Sequence, residues 1–310
     1  MSSARRPRRR AVAIAALALL AAALGACGGE GTKTASEPSR ATTHERPATS
    51  DVPLAVEAVQ DVAYTSERNL DVYRPTTGSG WPAVVHFHGG VSSTEADAAF
   101  ARAVAQQGVV VFLPEWRSLG PAGGSEDTIC AIAFATAHGT EYGAAIDRMT
   151  LSGYSTGGYT AVVHALIGDE PPRPVTDCNV DPSIDAPDAV VGGGAPLFAA
   201  RWARDGRLAT NPQWSSLTAE QISTYDPFLL LGRNRRLRVR LVVGRDDVGG
   251  NPDVLFPIAE SNRDYLGALA DAGYDATLTE VPGGHEGPLT PGTEGLDAYV
   301  AVVVETARGG

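Results

Sequence analysis

The sequence predicts an α/β fold: a doubly wound, mostly parallel sheet carrying a small cap insertion. Three observations predict it. Short apolar runs of the kind buried on both faces of a parallel sheet alternate with helix-compatible segments along most of the chain. Several of those runs end in glycine-rich turns that carry reactive residue types, at His88-Gly89-Gly90, Gly153-Tyr154-Ser155-Thr156-Gly157, Gly244-Arg245-Asp246-Asp247 and Gly283-Gly284-His285. Residues 52–310 make a segment of a size that suits one domain with a single core.

In chain order, Ala55 to Tyr64 and Asn69 to Tyr73 alternate enough to form a leading antiparallel pair. Pro82 to His86 reads as a buried strand, and Ser92 to Gln107 as a helix capped by Ser93 or Thr94 and closed by Gly108. Val109 to Leu113 is an unbroken apolar strand, followed by a helix over Asp127 to His138. Arg148 to Ser152 is the strand that leads into the serine turn, and Thr156 to Ile167 is the helix behind it. Ala189 to Gly192 is a further short strand. The segment 197–234 is a long excursion bearing Phe198, Trp202, Trp214, Tyr225 and Phe228. Strands over Leu237 to Val243 and Ala276 to Val281 complete the pattern, which has no internal repeat.

Gly-x-Ser-x-Gly between an apolar strand and a helix sets Ser155 on a tight turn, with its hydroxyl at the carboxyl end of the sheet. A serine hydroxyl is a poor nucleophile at neutral pH and needs a base to take its proton. His285 is the best placed histidine, because it follows a strand and lies in a loop free to lean over Ser155. His86 is inside a strand, His88 belongs to a turn it can brace by hydrogen bonding, His138 and His164 are in helices, and His44 is near the amino terminus. The third group, which orients the imidazole, is Asp246 or Asp247. The N–H of Thr156, at a helix amino terminus, and an N–H from Gly89 or Gly90 can receive a developing oxyanion.

The order Ser155, then Asp246 or Asp247, then His285 is that of the α/β-hydrolases and differs from the chymotrypsin and subtilisin orders. From about Val56 to the carboxyl terminus the chain resembles that superfamily. Its closest resemblance is to the carboxylesterase/lipase branch that carries His-Gly-Gly ahead of the first crossover helix. The resemblance implies an α/β-hydrolase fold and ester hydrolysis through an acyl-serine. It also implies Asp247 as the acid, since the family pattern puts the carboxylate three residues after the strand-end glycine, here Gly244. Inserts at the position of residues 197–234 form a cap in related hydrolases, whose aromatic rings either line an acyl or aryl pocket or pack the cap onto the body. Val91 stands where many relatives have a third glycine, and Thr156 where alanine or methionine is commoner. Neither change removes a backbone N–H. Both leave the subfamily and substrate open.

At the amino terminus, Arg5, Arg6, Arg8, Arg9 and Arg10 precede an apolar run of 14 residues, Ala11 to Leu24. A bilayer span takes about 20 residues, so the run reads as the core of a signal peptide over residues 1–26. Leu24-Gly25-Ala26-Cys27 resembles the bacterial lipobox, which implies lipidation of Cys27 and a protein tethered to the outer face of the cytoplasmic membrane. The alternative is a plain secretory signal with Cys27 unmodified. Residues 27–51 have the Gly-, Ser-, Thr- and Pro-rich composition of a disordered tether. Cleavage before Cys27 removes five arginines and no acids, taking the formal charge from −11 to −16. That charge disfavours nucleic acid as a partner and leaves membrane attachment to acyl chains. Cys130 and Cys178 then remain as a candidate disulfide, with two buried free thiols as the alternative.

No metal or organic cofactor is expected. The glycines around Gly89 and Gly157 do not fit a dinucleotide fingerprint, and Gly192-Gly193-Gly194 reads as a strand-end turn. The leading expectation is a serine esterase or lipase acting on a small-molecule or lipid ester. The same triad also serves an acyltransferase or a prolyl-type peptidase, and the fold can carry a non-catalytic binding protein.

Overall fold

A computed structural model describes residues 52–90, 94–117, 124–170, 175–209, 212–215, 217–251 and 254–309. The expected signal peptide, Cys27 and the tether lie outside the described residues, as do Val91 and the expected cap residue Ser93. The strands are β1 (Val56–Ala63), β2 (Asn69–Pro75), β3 (Trp81–Phe87), β4 (Val110–Pro114), β5 (Ala144–Tyr154), β6 (Ala189–Gly193), β7 (Arg238–Gly244), β8 (Gly249–Asn251), β9 (Val254–Phe256) and β10 (Asp275–Val281). Eight of them form one sheet in the order β1-β2-β4-β3-β5-β6-β7-β10, with β8 and β9 a separate hairpin. Within this sheet the β1–β2 and β2–β4 pairs are antiparallel and the remaining pairs are parallel, while the β8–β9 hairpin is antiparallel.

The central strands are buried on both faces, and their alternation assigns neighbouring side chains to opposite sides. Val85, Phe112, Leu151, Val190 and Leu241 join one core cluster, while Val84, Val111, Val191 and Val242 join the other. Helices α2 (Ser125–His138), α3 (Thr156–Ile167) and α7 (Ile258–Asp271) contribute Ile132, Val162 and Leu269 to the first. Helices α1 (Thr94–Gln106) and α8 (Glu294–Ala307) contribute Phe100, Val104, Tyr299 and Val303 to the second. The result is a sheet between two helical layers.

Among the described residues of 197–234 are three short helices, α4 (Ala199–Arg204), α5 (Pro212–Ser215) and α6 (Ala219–Thr224). Their aromatic rings pack onto the body. Trp214 meets Tyr159 edge-on at 5.5 Å, the Tyr159 hydroxyl donates to the Tyr225 carbonyl at 2.5 Å, and Phe228 meets Tyr265 at 4.9 Å. The first strand pair, α3 and the strands over 189–193, 238–244 and 275–281 follow the sequence expectation to within two residues. Strand β5 begins four residues early, at Ala144, because pairing with β3 extends through Ala144 and Ala145. Helices α7 and α8 and the β8–β9 hairpin have no counterpart in the sequence reading. Among the described residues no helix is long and apolar enough to cross a membrane.

Cys130 on α2 and Cys178 are joined by a disulfide, with Cα atoms 5.0 Å apart. The joined loop is also fastened to the end of β1, where the Asn179 N–H donates to the Tyr64 carbonyl at 3.0 Å and its side-chain amide donates to Ala63 and Thr65. Such a crosslink contributes about 2–4 kcal/mol.

On the same side of the sheet, His164 of α3 is buried with its Nδ1–H donating to the Thr160 carbonyl at 2.9 Å and its Nε2 accepting from Ser125 Oγ at 3.0 Å. Burial opposes its charged form and outweighs the Thr160 bond, holding the imidazole down to about 4. The unfolded chain protonates this residue near the ordinary value, so acid favours unfolding as pH falls from about 6.5 towards 4. Urea unfolding at pH 7 and pH 4.5 should show wild type losing roughly 2–3 kcal/mol more than His164→Gln. Equal losses in the two proteins would contradict the buried neutral imidazole.

Candidate active site

Ser155 sits between β5 and α3 with φ 53° and ψ −121°, in the left-handed region that a residue with a Cβ seldom occupies. Two backbone bonds hold it there: its N–H donates to the Gly193 carbonyl at 2.7 Å, and its carbonyl accepts from the Tyr159 N–H at 3.0 Å. Strain of this kind is worth about 1–3 kcal/mol and turns the serine hydroxyl out of the end of the sheet.

Gly157 explains the second glycine of the motif. A Cβ there would lie 2.0 Å from the Phe87 carbonyl oxygen and 2.4 Å from that of His88, so only glycine lets the start of α3 rest against the end of β3. This contact puts the His88-Gly89-Gly90 turn beside the amino terminus of α3, where the Thr156 N–H belongs to the helix end that lacks intrahelical acceptors. His88 braces the turn, its Nδ1 donating to the Gly89 carbonyl at 2.7 Å, while the Trp116 indole N–H donates to the His88 carbonyl at 3.3 Å.

His285 follows β10 and lies over Ser155. Its Nε2 is 3.0 Å from Ser155 Oγ, and its Nδ1 is 3.0 Å from each carboxylate oxygen of Asp247. With the ring proton on Nδ1 donating to Asp247, Nε2 is free to accept the serine proton. Asp247 is buried and Asp246 is exposed, so the two candidate acids separate cleanly. Asp246 meets this region through its backbone, its N–H donating to the Gly283 carbonyl at 3.0 Å. The Asp247 carbonyl accepts from the Ala259 N–H at 3.1 Å, which ties the acid to the first turn of α7. Tyr154 closes the inner side, its ring 5.3 Å from that of His285, and burial together with the nearby Asp247 charge pushes its phenol well above the ordinary tyrosine value.

The structure thus brings Ser155, His285 and Asp247 into one hydrogen-bonded chain, with Thr156 opening α3 directly after the serine. Asp246 stands apart. Outside the sequence reading were Tyr154, Trp116 and a buried polar group behind the site, formed by His86, Asp97, Ser152 and Tyr299. His86 and Ser152 carried a signal in being polar on apolar strands. A cavity of about 200 Å³ borders His88 and is lined by Asn69, Asp71, Asp97, Leu113 and Glu115 among others. Among the described residues no cluster of three or more His, Cys, Asp or Glu side chains is arranged to hold a metal ion.

The BD-FAE family model matches residues 70–185. No curated protein matches the chain in a sequence search. Solved structures do match. An inhibited esterase B from Lactobacillus rhamnosis aligns with a TM-score of 0.65 at 17% identity, covering 83% of this chain and 88% of that one. A truncated carbohydrate esterase from gut microbiota aligns with a TM-score of 0.64 at 17% identity, over 84% of this chain and 99% of its own. A thermophilic esterase from Thermogutta terrifontis with propionate bound aligns with a TM-score of 0.60 at 18% identity, over 82% and 93%. The strand order, the left-handed serine between strand and helix, and these likenesses agree that the chain has the α/β-hydrolase fold.

Proposed function

We propose that this chain is a serine hydrolase of carboxylic esters that works through an acyl-Ser155 intermediate. The observation that carries the reading is the chain of 3.0 Å contacts from Ser155 Oγ through His285 to Asp247 at a strained elbow. As Ser155 Oγ attacks the ester carbonyl, His285 Nε2 takes its proton, and the Asp247 carboxylate stabilises the imidazolium so formed. The carbonyl oxygen becomes negative and is received by the Thr156 N–H and an N–H of Gly89 or Gly90, with the α3 dipole adding to the attraction. His285 then gives its proton to the departing alcohol oxygen. Water enters and attacks the acyl carbon as His285 takes one of its protons; the Ser155 Oγ–acyl bond then breaks, and His285 returns the proton to Oγ, freeing the acid and restoring Ser155.

Likeness to esterases supports this choice of chemistry. For the cell, the reading is a mature protein held on the outer face of the cytoplasmic membrane by lipid on Cys27, with its hydrolase domain on a tether.

The test is hydrolysis of p-nitrophenyl esters from acetate to palmitate by wild type and Ser155→Ala. Serine-dependent turnover is expected, and its dependence on chain length sizes the acyl site. Absence of turnover together with no labelling of Ser155 by a fluorophosphonate would leave a binding protein on this fold. Transfer of the acyl group to an added alcohol in preference to water would make it an acyltransferase.

Asp247→Asn should lower kcat by roughly 10³–10⁴, while Asp246→Asn stays within about twofold. Equal effects of the two substitutions would undo the assignment of the acid. In cell fractionation, Cys27→Ala should move the protein from the membrane pellet to the soluble fraction; a variant that still pellets would contradict the lipid anchor.

A further inference from the structure

Behind the site lies a second sequence of carboxylate, imidazole and hydroxyl, and this one is buried. His86 Nε2 is 3.3 Å from Asp97 Oδ1, and His86 Nδ1 is 3.0 Å from Ser152 Oγ. Ser152 Oγ is 3.3 Å from the Tyr299 hydroxyl, which donates to the Gly153 carbonyl at 2.7 Å. All four residues have 0% exposure, whereas the His285 side chain retains 23%. A ring proton on Nε2 donates to Asp97 and leaves Nδ1 to accept the Ser152 hydroxyl, so the imidazole satisfies both partners at once. Ring contacts complete the packing: Phe100 lies tilted 4.4 Å from the His86 ring and stacks on Tyr299 at 4.7 Å.

The imidazole and hydroxyls of this group have no exposed surface, so its chemistry is not that of the open triad. Its placement is informative instead. His86 is the penultimate residue of β3, just before the His88-Gly89-Gly90 turn, and Asp97 is in the first turns of α1, just after it. Ser152 and Gly153 are on β5, immediately before Ser155, and Tyr299 reaches them from α8. The four side chains therefore join the two flanks of the glycine turn to the strand that enters the nucleophile elbow.

We propose that Asp97, His86, Ser152 and Tyr299 are positioning residues that hold the Gly89 and Gly90 amides at a set distance from Ser155 Oγ. This rests on the reading of Ser155 as the nucleophile. Amides aimed at a developing oxyanion act on the transition state, and small displacements of them cost rate more than binding. Loss of the brace thus lowers kcat and leaves KM in place.

Tyr299→Phe keeps the ring and its stacking while removing the hydroxyl, and Ser152→Ala removes one buried oxygen. For each variant and for the pair combined, kcat and KM on p-nitrophenyl acetate and the rate of Ser155 phosphonylation by a fluorophosphonate should be measured. Active sites are counted by the phosphonylation endpoint, so a reduced folded fraction does not enter kcat.

Each single variant should lose about tenfold in kcat and in phosphonylation rate, with KM within about twofold of wild type. The double variant should lose little more than either alone, because the groups act as one unit. Unchanged kcat in both variants, or a loss that appears wholly as raised KM, would overturn the brace. A wild type that neither turns over esters nor labels at Ser155 would overturn the hydrolase reading itself, and this inference with it.

Discussion

Everything in the site depends on two places where backbone touches backbone. At the first, the missing side chain of Gly157 lets α3 begin against the Phe87 and His88 carbonyls. At the second, a Cβ on Gly244 would lie 2.1 Å from the Gly284 carbonyl oxygen, so the acid turn and the histidine turn also meet only because glycine is present. The parallel register levels the strand ends that make these contacts: Phe87 pairs with Gly153 across β3 and β5, and Val281 pairs with Gly244 across β10 and β7. Nucleophile and glycine turn thus come from one neighbouring pair of strands, base and acid from another, with β6 between them. The strain at Ser155 is sustained because α3 behind it is almost wholly buried, and its packing far exceeds the roughly 1–3 kcal/mol stored in one residue.

Most of this frame was legible because parallel strands buried on both faces leave a plain apolar trace. Val84-Val85, Val111-Phe112, Val190-Val191 and Leu241-Val242 each split between the two cores. What escaped has physical reasons. Helix α8 carries Val300, Val302, Val303 and Val304, a β-branched run that gives no clear helical signal by itself and becomes helical through packing of its Tyr299 and Val303 stripe. Helix α7 shows many polar residues and a narrow apolar stripe, with Tyr265 and Leu269 buried and Arg263 and Asp264 outside.

The site residues were legible as residue types at strand ends, whereas the choice between adjacent aspartates needed the fold. Asp247 lies three residues after Gly244, and the Asp247 N–H closes that turn onto the Gly244 carbonyl at 3.0 Å. The closure turns the second aspartate inward and leaves the first in water. Spacing could suggest this by family pattern, but only the turn explains it. The aromatic residues of 197–234 were ambiguous for a related reason: composition does not say which way a ring faces. Trp214 and Tyr225 are buried in the main core, and guanidinium groups cover others, with Arg207 over the Trp202 ring at 3.4 Å and Arg201 over Phe228 at 4.0 Å. These rings fasten the insertion to α3 and α7.

Ser152 and Ser155 show how burial assigns different work to the same chemical groups. Each faces an imidazole at 3.0 Å, and each imidazole is backed by an aspartate with a buried side chain. Ser152 points from the pleat of β5 into the layer under α1 and α8, where its hydroxyl is enclosed by His86 and Tyr299. Ser155 lies past the last residue of the strand, where the left-handed turn lifts it out of the pleat. A hydroxyl inside the pleat can only transmit position; one beyond it can reach a carbonyl carbon. The pleat therefore stiffens the support at one serine and opens chemistry at the other, with both fixed to the same strand.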